Sequence, residues 1–253
     1  MKVAVIIPAR MAASRFPGKP LALIKGLSMI EHVRRRAMLA KNVTEVIVAT
    51  CDEEIKEHVE ANGGKVIMTS DKHERCTDRV AEAAKQLDAD VVVNVQGDEP
   101  LLDPSCIELC IEPFLKDPST PVVSMLSPLE SQADFTNSNI VKASCNQKGE
   151  VMYFSRTNSL YYRKLEQTPI FRETGIRAMG HEFLLEYSKM EQSPFERVES
   201  VDMFRVLEYG HRIQGVIYEE ATYGVDHVED VDLIEDLIEK SDREKEIFGK
   251  ITA

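Results

Sequence analysis

The segment DVVVNVQGDEPLLDP, residues 90–104, begins as a near-continuous run of valines and ends in a polar turn. A strand with one wet face alternates apolar and polar residues, whereas a strand without alternation is covered on both faces, as in parallel sheets flanked by helices. The same β-branched texture occurs in KVAVIIPA (2–9), EVIVAT (45–50) and KVIMT (65–69). Between these runs, MIEHVRRRAMLAKN (29–42), DEEIKEHVEANGG (52–64) and TDRVAEAAKQL (77–87) carry apolar residues at roughly helical spacing. The alternation predicts βαβ units and a mostly parallel central sheet, hence an α/β protein.

Beyond residue 120 the pattern loosens. VVSMLSPL (122–129) and IVKASCNQKGEVMYFSR (140–156) read as strands with turns. HEFLLEYSKM (181–190), VESVDMFRVLEYG (198–210) and VEDVDLIEDLIEKSDREKEIFGK (228–250) each read as one amphipathic helix, the last with a solvated charged face. The expectation is a single domain over 1–253, in which about 120–220 forms an inserted mixed subdomain.

With 43% hydrophobic residues in 253, the chain buries one substantial core or two lobes with a large interface. Forty-three acidic against 31 basic residues give a net charge of -12, which argues against nucleic acid or an anionic membrane surface as the main partner. Five cysteines, at 51, 76, 106, 110 and 145, lack the paired spacing of a zinc site and are expected as reduced thiols. Without an apolar run long enough to span a bilayer, no membrane insertion and a cytoplasmic location are expected.

Against this acidic background, IIPARMAASRFPGKPL (6–21) places Arg10, Arg15 and Lys19 in a loop just past the first strand. Ligands of open parallel sheets bind beyond the carboxyl ends of the strands, so the loop is placed to hold a polyanion such as a triphosphate. Gly18 would let backbone amides approach it. The bland alternative is a solvated basic turn. Neither G-x-x-x-x-G-K-[ST] nor G-x-G-x-x-G is present, which disfavours generic NTPase and dinucleotide readings.

Gln96, Asp98 and Glu99 follow the valine run and should share that sheet edge. Asp98 reads as a magnesium ligand, or else as a turn-capping residue before Glu-Pro. Asp226, in YGVDHVED (223–230), offers a further carboxylate where a strand-like segment meets the last helix. Alone it reads as a helix N-cap, with His227 at the surface.

Together, IPAR, SRFPGKPL, HERCTDR, VNVQGDEPL, YFSR, SPFERVE, LEYGHRI and YGVDHVED resemble the 3-deoxy-manno-octulosonate cytidylyltransferase (CMP-Kdo synthetase) family over nearly the whole chain. The resemblance implies a Rossmann-like nucleotidyltransferase fold of glycosyltransferase-A type. It implies transfer of CMP from CTP to the anomeric hydroxyl of an acidic ulosonic sugar, with Mg2+ as cofactor and a homodimer, for lipopolysaccharide or other surface-glycan synthesis. By resemblance, Arg10, Arg15 and Lys19 contact the CTP phosphates and Arg10, Lys19, Asp98 and Asp226 carry the catalysis. Pro8, Ala9, Thr77, Arg79 and Gln96 surround the cytidine, Asp98 and Asp226 hold the metal, and Arg156 approaches the sugar carboxylate.

Departures from the family motifs cluster on the acceptor side. Arg75-Cys76 stand where the family has Ser-Gly, Glu173 and Arg177 where it has His and Tyr, and Asp202-Met203 where it has Glu-Gln. Glu173, Arg177, Asp202 and Met203 are therefore expected to line the acceptor site. They favour a modified acceptor such as 8-amino-Kdo, unless Arg177 pairs with one of the two carboxylates. A non-catalytic nucleotide-binding relative and a cytidylyltransferase for another acidic acceptor are the alternatives. A sugar-1-phosphate nucleotidylyltransferase is disfavoured by the missing glycine-rich opening loop.

Overall fold

The structure, a computed structural model, describes residues 1–12, 16–129, 131–157, 169–220 and 222–253. Its first half follows the alternation in the sequence. β1 (Val3–Pro8) leads through a 3-10 turn (Lys19–Leu21) and a small hairpin, β2 (Leu23–Ile24) and β3 (Leu27–Ser28), into α1 (Met29–Ala37). Then come β4 (Glu45–Thr50), α2 (Glu53–Ala61), β5 (Lys65–Met68), α3 (Cys76–Ala84) and β6 (Val91–Asn94). The second half adds α4 (Pro104–Lys116), β7 (Val122–Ser127), α5 (Gln132–Thr136), β8 (Lys142–Cys145), β9 (Val151–Ser155) and β10 (Ile170–Gly180). It ends with α6 (His181–Tyr187), α7 (Pro194–Glu199), α8 (Met203–Glu208), β11 (Ile213–Ile217), α9 (Asp230–Lys240) and α10 (Asp242–Thr252).

The main path of the sheet among the described residues runs β11-β7-β10-β6-β1-β4-β5. β1 sits between β4 and β6 and is parallel to both, with Ile6 opposite Ile47 on one side and Asn94 on the other. Along this path only β10 runs against its neighbours, β6 and β7. β7, β10 and β11 thus extend the central sheet, and only β8 and β9 branch from it, through β10.

Successive residues of a strand face opposite sides, and here both sides are apolar. Val3, Val5, Ile7, Val91 and Val93 pack with Ile30 and Val33 of α1, Ile55 and Val59 of α2, and Ile107, Ile111 and Phe114 of α4. Ile6, Ala49 and Val92 face Val80, Ala81 and Ala84 of α3, Leu184 and Tyr187 of α6, and Phe204 and Val206 of α8. A third cluster joins Ile24 and Met29 to Val225, Ile234 and Ile238, pinning the C-terminal segment beside the sheet's front edge.

Two expected helices are interrupted. The stretch 198–210 is split between α7 and α8 at Ser200, which has left-handed φ 55° and ψ 43°. The last helix is broken at Ser241, whose extended backbone ends α9 and whose hydroxyl accepts from Glu244 N to cap α10. Helix α4 was not foreseen, although Asp103 caps it by accepting from Ser105 N and Pro104 stands in its first turn. Around Asp226 there is no strand, and Asp226 is not a helix cap: the cap is Glu229, and Asp230 accepts hydrogen bonds from the backbone of Asp226 and His227 at 2.8 Å.

Candidate active site

β1, β4 and β6 end on the same side of the sheet, and the loops beyond β1 and β6 border a cavity of about 360 Å³. Its lining includes Pro8, Ala9 and Arg10 from the first loop, Gln96 and Asp98 after β6, and Asp226 from the C-terminal segment. Lys19 and the first residues of α3, with Arg75, Cys76 and Arg79, complete it. Long-range topology therefore joins segments more than 200 residues apart.

The first loop is fixed at both ends. Met11 N donates to Asp52 Oδ2 at 2.8 Å, tying the loop to the end of β4. Gly18, with φ +74°, adopts a left-handed backbone that a side chain would strain, and it starts the 3-10 turn that delivers Lys19. Lys19 Nζ is 2.7 Å from Asp98 Oδ2 and 2.8 Å from the Val225 carbonyl. Val225 N donates to Asp98 O at 2.9 Å, so Asp98 and Asp226 reach the same cavity. Arg10 is exposed at the rim. Arg15 lies outside the described residues.

Asp98 and Asp226 offer carboxylate oxygens, the donors a hard cation such as Mg2+ takes. Among the described residues no group of three or more His, Cys, Asp or Glu could hold a metal. Two carboxylates fit magnesium, which characteristically keeps water and substrate phosphate oxygens as its other ligands. Next to Asp98, Glu99 is buried, and its carboxyl is raised well above the usual range, first by burial and then by the charges of Asp98 and Glu173.

Thr77 does not line the cavity: it is 1% exposed and its hydroxyl donates to Asp202 Oδ2 at 2.5 Å. Arg79 does line it, with one amino group donating to Thr69 Oγ1 at 2.5 Å and the other lying 3.6 Å from Cys51 Sγ. Gln96 Nε2 donates to Gly175 O at 3.3 Å and lies 3.6 Å from Cys76 Sγ. Burial, and then Asp202, push the Cys76 thiol up, so it stays protonated at neutral pH.

The expected acceptor residues are brought together, but behind the cavity wall. A bulge in β10 between Glu173 and Arg177 turns Gly175, at φ +86°, against Gln96; a Cβ there would sit 3.1 Å from Gln96 Cγ. Arg177 bridges Glu173 Oε1 and Asp202 Oδ1, both at 3.0 Å. Burial opposes the Arg177 charge, but Asp202 and Glu173 outweigh it and hold the guanidinium protonated. Burial also pushes Asp202 up, and Arg177 with the Thr77 hydroxyl reverses this and leaves it below its usual value. The cluster is closed on itself, with each carboxylate facing a cation.

Met203 is fully buried in the core under α8 and reaches no ligand surface. Arg156 directs Nε to Glu199 O at 2.7 Å and its amino groups to Ser138 O and Ser200 O, each at 3.2 Å. Like the Glu173 cluster, it is absent from the cavity lining. Sequence reasoning noted Arg75 and Cys76 only as departures from the family motif and gave them no role in the site. Their position directly before Thr77 and Arg79, at the start of a helix that meets the sheet edge, was the signal that both face the site.

Residues 4–213 match the Cytidylyltransferase family. The chain is 41% identical over 245 residues to the 3-deoxy-manno-octulosonate cytidylyltransferase of Geobacter metallireducens, covering 92% of this chain and 96% of that one. The enzyme of that name from Acaryochloris marina is 37% identical, with 91% and 95% covered. Among solved structures, CMP:2-keto-3-deoxy-manno-octonic acid synthetase complexed with CTP superposes with a TM-score of 0.90 at 36% identity, covering 95% of this chain and 99% of that one.

Proposed function

The chain belongs to the 3-deoxy-manno-octulosonate cytidylyltransferase family, and on that premise we propose that it transfers CMP from CTP to the anomeric hydroxyl of an acidic ulosonic sugar, Kdo or a modified Kdo. It is a nucleotidyltransferase, and the observation that carries the reading is the single cavity shared by the basic loop, the β6 edge and Asp226.

In the reaction the sugar hydroxyl attacks the α-phosphorus and gives up its proton, while the bond to the β-phosphate oxygen breaks with its electron pair leaving on pyrophosphate. The charge of the phosphates must be met throughout, and positioned cations in a partly enclosed site do this without reorganising. Arg10 and Lys19, with Arg15, are assigned to the phosphates, and Pro8, Ala9, Arg79 and Gln96 to the cytidine. Thr77 acts from behind the wall through Asp202. Asp98 and Asp226 would hold Mg2+, which when bound supplies charge neutralisation at the phosphate oxygens.

Lys19 already bonds to Asp98, so it also fixes the direction of that carboxylate. On the acceptor side, Glu173 and Asp202 both bond to Arg177 and neither lines the cavity, so neither is presented to an amino group there. Unmodified Kdo is therefore the better-supported acceptor. Among the described residues no helix is long and apolar enough to cross a membrane. A cytoplasmic homodimer whose product feeds surface-glycan synthesis completes the proposal, with about 120–220 supplying acceptor contacts and the dimer surface.

Calorimetry with CTP, UTP, ATP and GTP in the presence of magnesium tests the nucleotide assignment. CTP is expected to bind tightest by about tenfold or more. Equal or tighter binding of a purine nucleotide contradicts it.

A further inference from the structure

We propose that Arg75 binds the anionic group of the acceptor, an assignment that rests on the cytidylyl-transfer reading above. Arg75 lies just ahead of α3, which contributes Arg79 to the nucleotide side, yet its guanidinium reaches Ser200 in the turn between α7 and α8. It thereby links the cavity lining to the α7–α8 turn.

Its chemical state points to a ligand. One amino group is held by Ser200 Oγ at 2.8 Å, while Nε is buried without a hydrogen-bond partner. No carboxylate among the described residues forms an ion pair with it, although Asp202 feels its charge from farther away. The second amino group makes no hydrogen bond among the described residues, and Arg75 lines the cavity, so an oxygen anion entering there would meet an uncompensated guanidinium. The side chain is already oriented, so little freedom is lost when its planar fork meets a carboxylate.

The other cations near the acceptor side are engaged. Arg177 is locked between Glu173 and Asp202, and Arg156 donates to three backbone carbonyls. Arg79 bonds to Thr69, and Lys19 to Asp98. Ser200 adds a second observation. It holds a left-handed conformation unusual for a residue with a side chain, with Oγ accepting from Arg75 and its carbonyl from Arg156. Such strain persists where surrounding structure imposes it, often at ligand sites. One strained residue thus accepts from two guanidinium groups, of which Arg75 lines the cavity. Glu74 also lines the cavity but is exposed to water, which screens its charge.

The test measures acceptor and nucleotide constants separately for wild type, Arg75→Gln and Arg75→Lys. Kdo is compared with its C1 amide, which lacks the carboxylate charge. Arg75→Gln should raise the KM for Kdo about 10- to 100-fold, the range for losing a charge-assisted hydrogen bond. Arg75→Lys should recover part of that loss. CTP binding by calorimetry should change less than about twofold, which also reports an intact fold, and the penalty should shrink for the amide. An unchanged KM for Kdo, an equal penalty for acid and amide, or a loss confined to CTP overturns the assignment while leaving cytidylyl transfer in place. Wild type that turns over no acidic ulosonate overturns the underlying reading and this inference with it.

Discussion

The ammonium of Lys19 lies 2.7 Å from Asp98 Oδ2, and the same nitrogen bonds the carbonyl of Val225. One side chain thereby joins the loop after β1, the end of β6 and the segment that carries Asp226. A cation in this position organises the two carboxylates assigned to the metal and offsets their repulsion of a triphosphate.

Lys19→Met should therefore lower turnover about 100-fold or more, with the fold retained. Asp98→Asn and Asp226→Asn should lower it comparably and raise the magnesium concentration needed for half-maximal rate, because an amide is a poorer ligand for a hard cation. Rates across a magnesium series, alongside thermal melts, check both. Either Asn variant with wild-type rates at low magnesium removes that residue from the metal site.

Much of this site was legible because the loops follow buried strands whose valine and isoleucine runs announce them. The basic loop, Gln96 and Asp98 needed only the rule that ligands bind beyond strand ends. Asp226 was joined to the loop only through the family resemblance and not through spacing, since its position depends on Val225 packing with Ile234 and Ile238. Of the residues expected on the acceptor side, Glu173, Arg177 and Asp202 form one cluster, whose burial was not legible. That Glu173 and Asp202 share Arg177 depends on a bulge in β10 that no spacing rule reveals. The breaks at Ser200 and Ser241 were missed because apolar periodicity continues across them, while a single backbone angle ends the helix.

Arg205 is 2% exposed and bonds Glu196 Oε1 at 2.6 Å and Asp78 Oδ1 at 2.9 Å, with its guanidinium 4.4 Å above the Tyr187 ring. Arg205→Leu leaves the buried Glu196 carboxylate without its cation. Urea unfolding should show a loss of about 3–5 kcal/mol. A loss under about 1 kcal/mol would mean that solvent or another group replaces the pair.

His32 is fully buried, with Nε2 bonded to the Ile24 carbonyl at 2.9 Å. Burial lowers its pKa from 6.5 to about 4. Between those values the unfolded chain binds a proton that the folded chain refuses, so stability falls as pH drops from about 6.5 toward 4. The contribution of this residue to that fall is on the order of 2 kcal/mol. Melting wild type and His32→Gln at about pH 7.5 and pH 4.5 checks the sign. The variant should lose less stability on acidification, and an equal or greater loss rejects the assignment.

Incubating the protein with CTP, Kdo and magnesium, and measuring pyrophosphate together with the sugar nucleotide by mass spectrometry, addresses cytidylyl transfer itself. Equimolar pyrophosphate and CMP-Kdo, dependent on the acidic sugar, is the expected result. CMP released without a sugar conjugate, or conjugate formed only with a neutral sugar phosphate, would contradict it.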